Sequence, residues 1–202
     1  MSLFSVTAQP ERRQSCIEQE HHLSSISFYD ATTSNRIGFR GAQVAAFLEA
    51  HGILIPEQPN RALKTSNGLW ILRLGHTEFW LVDKKDQNTD AMIELEKEAD
   101  QREQVTRLYC QHSHALFVLT GDDCPEMFAK VCAVDLSGVT FKRGCIAQTS
   151  VARVSSVVVN VSKSEFEQTR FLIMSDISSA DYLWKALDDA AEEFQQTTTT
   201  IS

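Results

Sequence analysis

The chain has 202 residues, 43% of them hydrophobic and 23% charged, enough to bury a real core and far from the composition of a disordered segment. Its 27 acidic side chains against 19 basic ones give a formal net charge of −8, and no linear Lys/Arg stripe could neutralise a run of phosphates, which excludes nucleic acid and anionic membrane surfaces as expected partners. No apolar run approaches the roughly 20 residues that cross a bilayer, and five scattered cysteines, an odd number, fit free thiols rather than a disulfide framework.

Residues 1–22 are polar and aperiodic and read as a flexible N-terminal arm. No apolar stretch follows Glu11, Arg12 and Arg13, so neither a signal peptide nor an anchor is visible and the expected compartment is the cytoplasm. Residues 23–112 form a first α+β half. Strands are predicted at 25–29 and 36–40, then a helix over 43–51 with Val44, Phe47, Leu48 and His51 on one face. Gly52 ends that helix, because a residue without Cβ takes the left-handed conformation cheaply. Pro56 and Pro59 mark an irregular connection through Asn67. Strands at 69–74 and 78–82 follow, joined as a hairpin by Gly75, His76 and Thr77. A charged helix over 90–101 and a strand over 105–110 close the half.

Residues 113–194 form a second half. A strand over 115–120 runs through Gly121-Asp122-Asp123 into a helix over 125–134. Asp123 and Glu126 stand at capping-box spacing, and Pro125 suits a first turn that needs no donor. Cys124, Met127, Phe128, Val131 and Cys132 recur as one apolar stripe. Strands at 148–154, 156–161 and 170–174 follow, and Ser178 or Ser179 caps a last helix to Phe194 whose inner face is Leu183, Leu187, Ala190 and Phe194. Residues 195–202 read as a disordered tail. The order of elements in each half approximates β-α-β-β-α-β, which predicts an α+β fold of two ferredoxin-like units packed together, the halves forming one compact domain.

Four segments carry a resemblance to a known family: Gly68-Leu69-Trp70 through Leu81-Val82, Leu119-Thr120-Gly121 through Val134-Asp135-Leu136, Phe141 with Gly144, Thr149 and Ala152, and Tyr182-Leu183-Trp184 through Phe194. In order and spacing these resemble the gamma subunit of heterotetrameric sarcosine oxidase, a relative of the glycine-cleavage T-protein. The resemblance implies the fold of the T-protein folate-binding domain. It also implies a non-catalytic accessory subunit, without a cofactor of its own, that contacts alpha- and beta-like chains holding the flavin and tetrahydrofolate of an oxidative demethylation complex. Fold alone does not transfer folate binding or aminomethyl transfer to this chain.

The sharpest candidate for chemistry is Cys145. The run Lys142-Arg143-Gly144-Cys145-Ile146-Ala147-Gln148-Thr149 resembles the Lys-Gly-Cys segment of T-protein-like proteins that assist iron–sulphur cluster maintenance, with Lys142 and Arg143 as neighbouring cations that favour a thiolate. It departs from that segment at Ile146, Ala147 and Thr149. The alternative function is therefore a free-standing tetrahydrofolate binder in one-carbon or iron–sulphur maintenance chemistry, and the competing reading of Cys145 is a small turn residue packed at a strand start.

Cys110, His112 and His114 would share one face of a strand, but its two ends are too far apart for a single metal ion, so no metal site is expected. His51 and His76 have no visible partner. Gly121-Asp122-Asp123 places two carboxylates where a phosphate loop would need none. The acidic run Glu94, Glu96, Glu98 and Asp100 reads as a solvated helix face. Trp70 and Trp80 fill a core or, if exposed, anchor a partner protein. No complete catalytic set assembles from these residues, and the chain is not expected to turn over substrate alone.

Overall fold

Apolar residues at period two build two antiparallel sheets, and those at helical spacing cover their outer faces. The computed structural model describes residue 17 and residues 21–22, 25–163 and 168–194. The arm read over 1–22 and the tail from 195 therefore fall almost wholly outside the described residues. In chain order the elements are β1 (His21–His22), β2 (Ser27–Asp30), β3 (Asn35–Arg40), α1 (Val44–Ala50), β4 (Arg61–Lys64), β5 (Trp70–Arg73), β6 (Glu78–Asp83), α2 (Thr89–Ala99), β7 (Thr106–Leu108), α3 (Cys110–Ser113), β8 (His114–Thr120), α4 (Cys124–Val131), β9 (Ile146–Val151), β10 (Val154–Asn160), β11 (Arg170–Asp176) and α5 (Ala180–Ala191).

One sheet has the order β1-β2-β8-β11-β10-β9 and the other β4-β5-β6-β3-β7. The sheets face each other across a core of Leu72, Trp80 and Val82 from one and Leu116, Val118, Leu172 and Met174 from the other. On the far side of the six-stranded sheet, Phe117, Leu119, Phe171 and Ile173 meet Met127 and Phe128 of α4 and Leu183 and Leu187 of α5. On the far side of the five-stranded sheet, Phe39, Ile71, Phe79 and Leu81 meet Phe47 and Leu48 of α1 and Met92 and Leu95 of α2. The result is four layers, helix, sheet, sheet, helix. Because both faces of β8 are covered, its run Ala115-Leu116-Phe117-Val118-Leu119 is apolar throughout rather than alternating.

Several expectations are corrected. The strand predicted at 25–29 does not belong to the first half's sheet: β2 pairs with β8 in the register Ser27↔Thr120 to Asp30↔Phe117. The second half ends in a helix, and β2 takes the place beside β8 that a closing strand of its own would fill, so the two β-α-β-β-α-β units do not appear as two successive stretches of chain. The connection through Asn67 contains the edge strand β4, paired with β5. The strand over 105–110 shortens to β7, and Cys110–Ser113 is a helical turn. The β9–β10 turn lies at Ala152 and Arg153, both at positive φ. Asp123 precedes α4 as expected, but its side chain makes no capping hydrogen bond. Neither serine side chain caps α5; Asp176 instead accepts from the Ser178 amide, 2.9 Å away, ahead of it.

Candidate functional site

Cys145 sits in a seam between the two sheets. The Gly144 and Asn60 carbonyls accept from the Ala62 and Ile146 amides at 2.7 and 3.0 Å, which ties the segment to β4 and its lead-in. On the opposite side the Asn160 and Cys145 carbonyls accept from the Gly144 and Asn160 amides at 2.9 and 3.0 Å, which ties it to β10. Gly144 has φ of +77°, and a Cβ there would stand 2.6 Å from the Ala62 carbonyl oxygen, so the close approach of β4 requires glycine. Gln148 Nε2 adds hydrogen bonds of 2.7 Å to Asn60 Oδ1 and to the Leu74 carbonyl.

The Cys145 side chain is half-buried against the outer core of the six-stranded sheet. The cation beside its Sγ is Arg61, whose Nη1 donates to it, and not either of the sequence neighbours. Arg143 turns away: its Nη1 donates to the Lys163 carbonyl at 2.8 Å and its guanidinium lies 6.0 Å from the Trp70 ring. Of the singled-out residues, the fold thus brings Arg143 to Trp70, while Cys145 meets Arg61 instead.

Trp70 and Trp80 are each 5% exposed and belong to the core between the sheets. Trp80 Nε1 donates to Glu78 Oε1 at 3.0 Å, and its ring meets that of His114 edge-on with centroids 4.8 Å apart. Burial, reinforced by the Arg36 guanidinium, holds the His114 pKa below its ordinary 6.5. Burial pushes the Cys110 and Cys124 thiols up to about 12, which makes them inert.

Among the described residues, no group of three or more His, Cys, Asp or Glu could hold a metal ion. His51 does have an acidic partner, since its Nε2 lies 3.0 Å from Glu98 Oε2 of α2. The acidic face of α2 is bridged to its surroundings as well: Glu96 and Asp100 pair with Arg107 at 3.0 and 2.7 Å. His76 is exposed at the hairpin turn. Asp122 Oδ1 accepts from the Thr169 amide at 3.4 Å, beside the hydrogen bond of the Gly121 amide to the Thr169 carbonyl.

One feature escaped the reading of the sequence. Arg143 and Trp70 stand at a cleft of about 780 Å³ between the ends of the two sheets, lined by Lys64, Lys84, Lys85, Arg143, Lys163 and Arg170. No described Asp or Glu lines it. The cations come from both halves of the chain, so no local run of charge could have announced them.

No family model and no curated protein sequence matches the chain. Solved structures do. A chain of heterotetrameric sarcosine oxidase from Corynebacterium sp. U-96, in complex with pyrrole 2-carboxylate, matches with a TM-score of 0.72 at 20% identity, over 86% of this chain and 87% of that one. Aminomethyltransferase T of the glycine cleavage system from Bartonella henselae matches with a TM-score of 0.57 at 20% identity, over 83% of this chain and 47% of that one, so the chain spans about half the length of that enzyme. At this level of identity the likeness concerns architecture: the chain has an α+β fold of two antiparallel sheets with outer helices, similar to a chain of a heterotetrameric sarcosine oxidase and to part of aminomethyltransferase T.

Proposed function

We propose that the chain is a non-catalytic accessory subunit resembling the gamma chain of sarcosine oxidase, cytoplasmic, and acting through protein–protein contacts with alpha- and beta-like chains. Those partners carry the flavin and tetrahydrofolate of an oxidative demethylation complex. The observation that carries this reading is the extent of the fold match, which takes in 87% of an entire chain of a heteromeric oxidase but 47% of the single-chain aminomethyltransferase. The backbone seam around Cys145 supports it, because a position hydrogen-bonded on both sides serves to join sheets. The strand orders support the finer fold reading as well. β5-β6-β3-β7 follows a ferredoxin-like unit, and β10-β11-β8-β2 follows a second one closed by the N-terminal strand.

Co-expression of the tagged chain with alpha- and beta-like oxidase chains from the same genome tests the proposal. The expected result is a stoichiometric complex that survives gel filtration. A chain that elutes alone in the presence of those partners counts decisively against it.

The second reading, a free-standing tetrahydrofolate binder using Cys145, draws on the fold match to aminomethyltransferase T and on the Arg61 guanidinium beside the thiol. It predicts saturable heat on titration with tetrahydrofolate, diminished in Cys145→Ala. A flat titration removes it.

A further inference from the structure

We propose that the cleft between the sheet ends is a binding site for a small, multiply charged anion, a chain of carboxylates or of phosphates. The site does not depend on the oxidase partnership. Lys64 ends β4 opposite Trp70, Lys84 and Lys85 follow β6, Arg143 leads into the seam, Lys163 follows β10 and Arg170 opens β11. Six cations from both sheets thus converge on one concavity in a chain of net charge −8. A concave surface lined by one sign of charge focuses its field and concentrates anions. Its volume of about 780 Å³ suits a small molecule.

Several cations outside the cleft find carboxylates. Arg40 pairs with Glu78, Arg107 with Glu96 and Asp100, Lys130 with Glu193 and Lys185 with Asp181. Among the described residues, Lys64, Lys84, Lys85, Arg143 and Arg170 enter no ion pair. The carboxylates nearest in sequence are engaged by other donors. Asp83 is buried and accepts from the amides of Lys85 and Asn88, while Asp86 accepts from the Asn35 amide at 2.9 Å. The fold therefore engages the carboxylates nearest in sequence with other donors, while Lys64, Lys84, Lys85, Arg143 and Arg170 line one cleft, a gathering of like charge that favours an anion.

The walls are also set in place before any ligand arrives. Asn67 Nδ2 donates to Asn88 Oδ1 at 2.6 Å and Asn88 Nδ2 to Asp83 Oδ2 at 3.2 Å, which fastens the loop after β4 to the loop after β6. Arg170 Nε donates to Thr120 Oγ1 at 3.1 Å, and Arg143 is held by the Lys163 carbonyl. Lys84 lies over the Tyr29 ring at 5.4 Å and Arg143 over the Trp70 ring at 6.0 Å. The aromatic faces thus orient cations rather than offer a stacking surface, which favours an anion read by charge over a nucleobase.

Calorimetric titration of the full chain with tri-glutamate and, separately, with inorganic tripolyphosphate tests the site. We expect one equivalent of one probe to bind, more weakly at high salt and about tenfold more weakly in the Lys64→Gln/Lys84→Gln/Arg143→Gln variant. A control variant, Lys97→Gln/Arg102→Gln/Lys185→Gln, should bind as the parent does, with far-ultraviolet circular dichroism verifying that both fold. The probe that binds identifies the carboxylate or phosphate class. Failure of both probes, equal weakening in the control, or tighter binding of a single-stranded oligonucleotide than of either probe overturns the proposal.

Discussion

Arg36 is the residue on which the junction of the two halves turns. It is fully buried, with Nη1 donating to the Thr32 and Ser34 carbonyls at 3.1 and 3.2 Å and Nη2 to the Gln111 and His114 carbonyls at 3.2 and 2.6 Å. Removing that guanidinium strands four carbonyls, and Arg36→Met should cost about 3 kcal/mol or more in urea unfolding. An unchanged midpoint would refute the assignment. His114, beside it, makes stability depend on pH. Its folded pKa lies below 6.5, so as pH falls past 6.5 the unfolded chain takes up a proton that the folded one refuses, and stability drops. His114→Gln should flatten the stability profile just below pH 6.5. Asp135 and Asp176 act in a separate window: hydrogen bonds hold both pKa values below 3.8, and their contribution, present above 3.8, is lost as pH falls through the folded values. Little of this was legible in the sequence. A reader finds Cys145 and its two neighbouring cations, but the fold substitutes Arg61 from another strand and sends Arg143 to a cleft with Trp70.

Among the elements, the turn between β9 and β10 carries the clearest local cost. Ala152 and Arg153 take φ of +48° and +67°, the left-handed region that a two-residue hairpin turn requires and that Asn-Gly fills best. Ala152→Asn/Arg153→Gly should raise stability by about 1 kcal/mol, visible as a higher melting temperature. A lowered melting temperature would mean the native side chains earn their strain through contacts. The same turn shows why the sequence misplaces the strand limits: without Gly or Asn to mark the turn, the pattern of apolar residues puts the break at Ser155 rather than at Ala152 and Arg153. β4 was hidden because four residues, Arg-Ala-Leu-Lys, give too short a period to register. By contrast α1, with Gly52 behind it, and the stripe of Cys124, Met127 and Phe128 on α4 were readable, since each signal lies within one element.

At the scale of the molecule, the sheets share one core, and the chain should unfold as a unit. Tryptophan fluorescence, from Trp70 and Trp80 between the sheets and Trp184 of α5, and far-ultraviolet circular dichroism should give coincident denaturant transitions; separated midpoints would show that the sheets melt independently. A chain divided after residue 112 should yield two pieces that fold only when mixed, because β2 lies in one and β8 in the other. The α+β class and the order of most elements were legible, because hydrophobic period is local information. Which sheet β2 joins was not, since its partner lies far along the chain and nothing near Ser27 encodes it.

The central position of β8 has a bearing on biosynthesis. Its two hydrogen-bonding neighbours, β2 and β11, lie on opposite sides of it in the chain, one well before and one well after. On the ribosome β2 emerges well before β8 and must wait, while β11 appears about fifty residues after β8. The six-stranded sheet can therefore close only after β11 has left the exit tunnel, and until then the apolar β8 depends on α4 or a chaperone for cover.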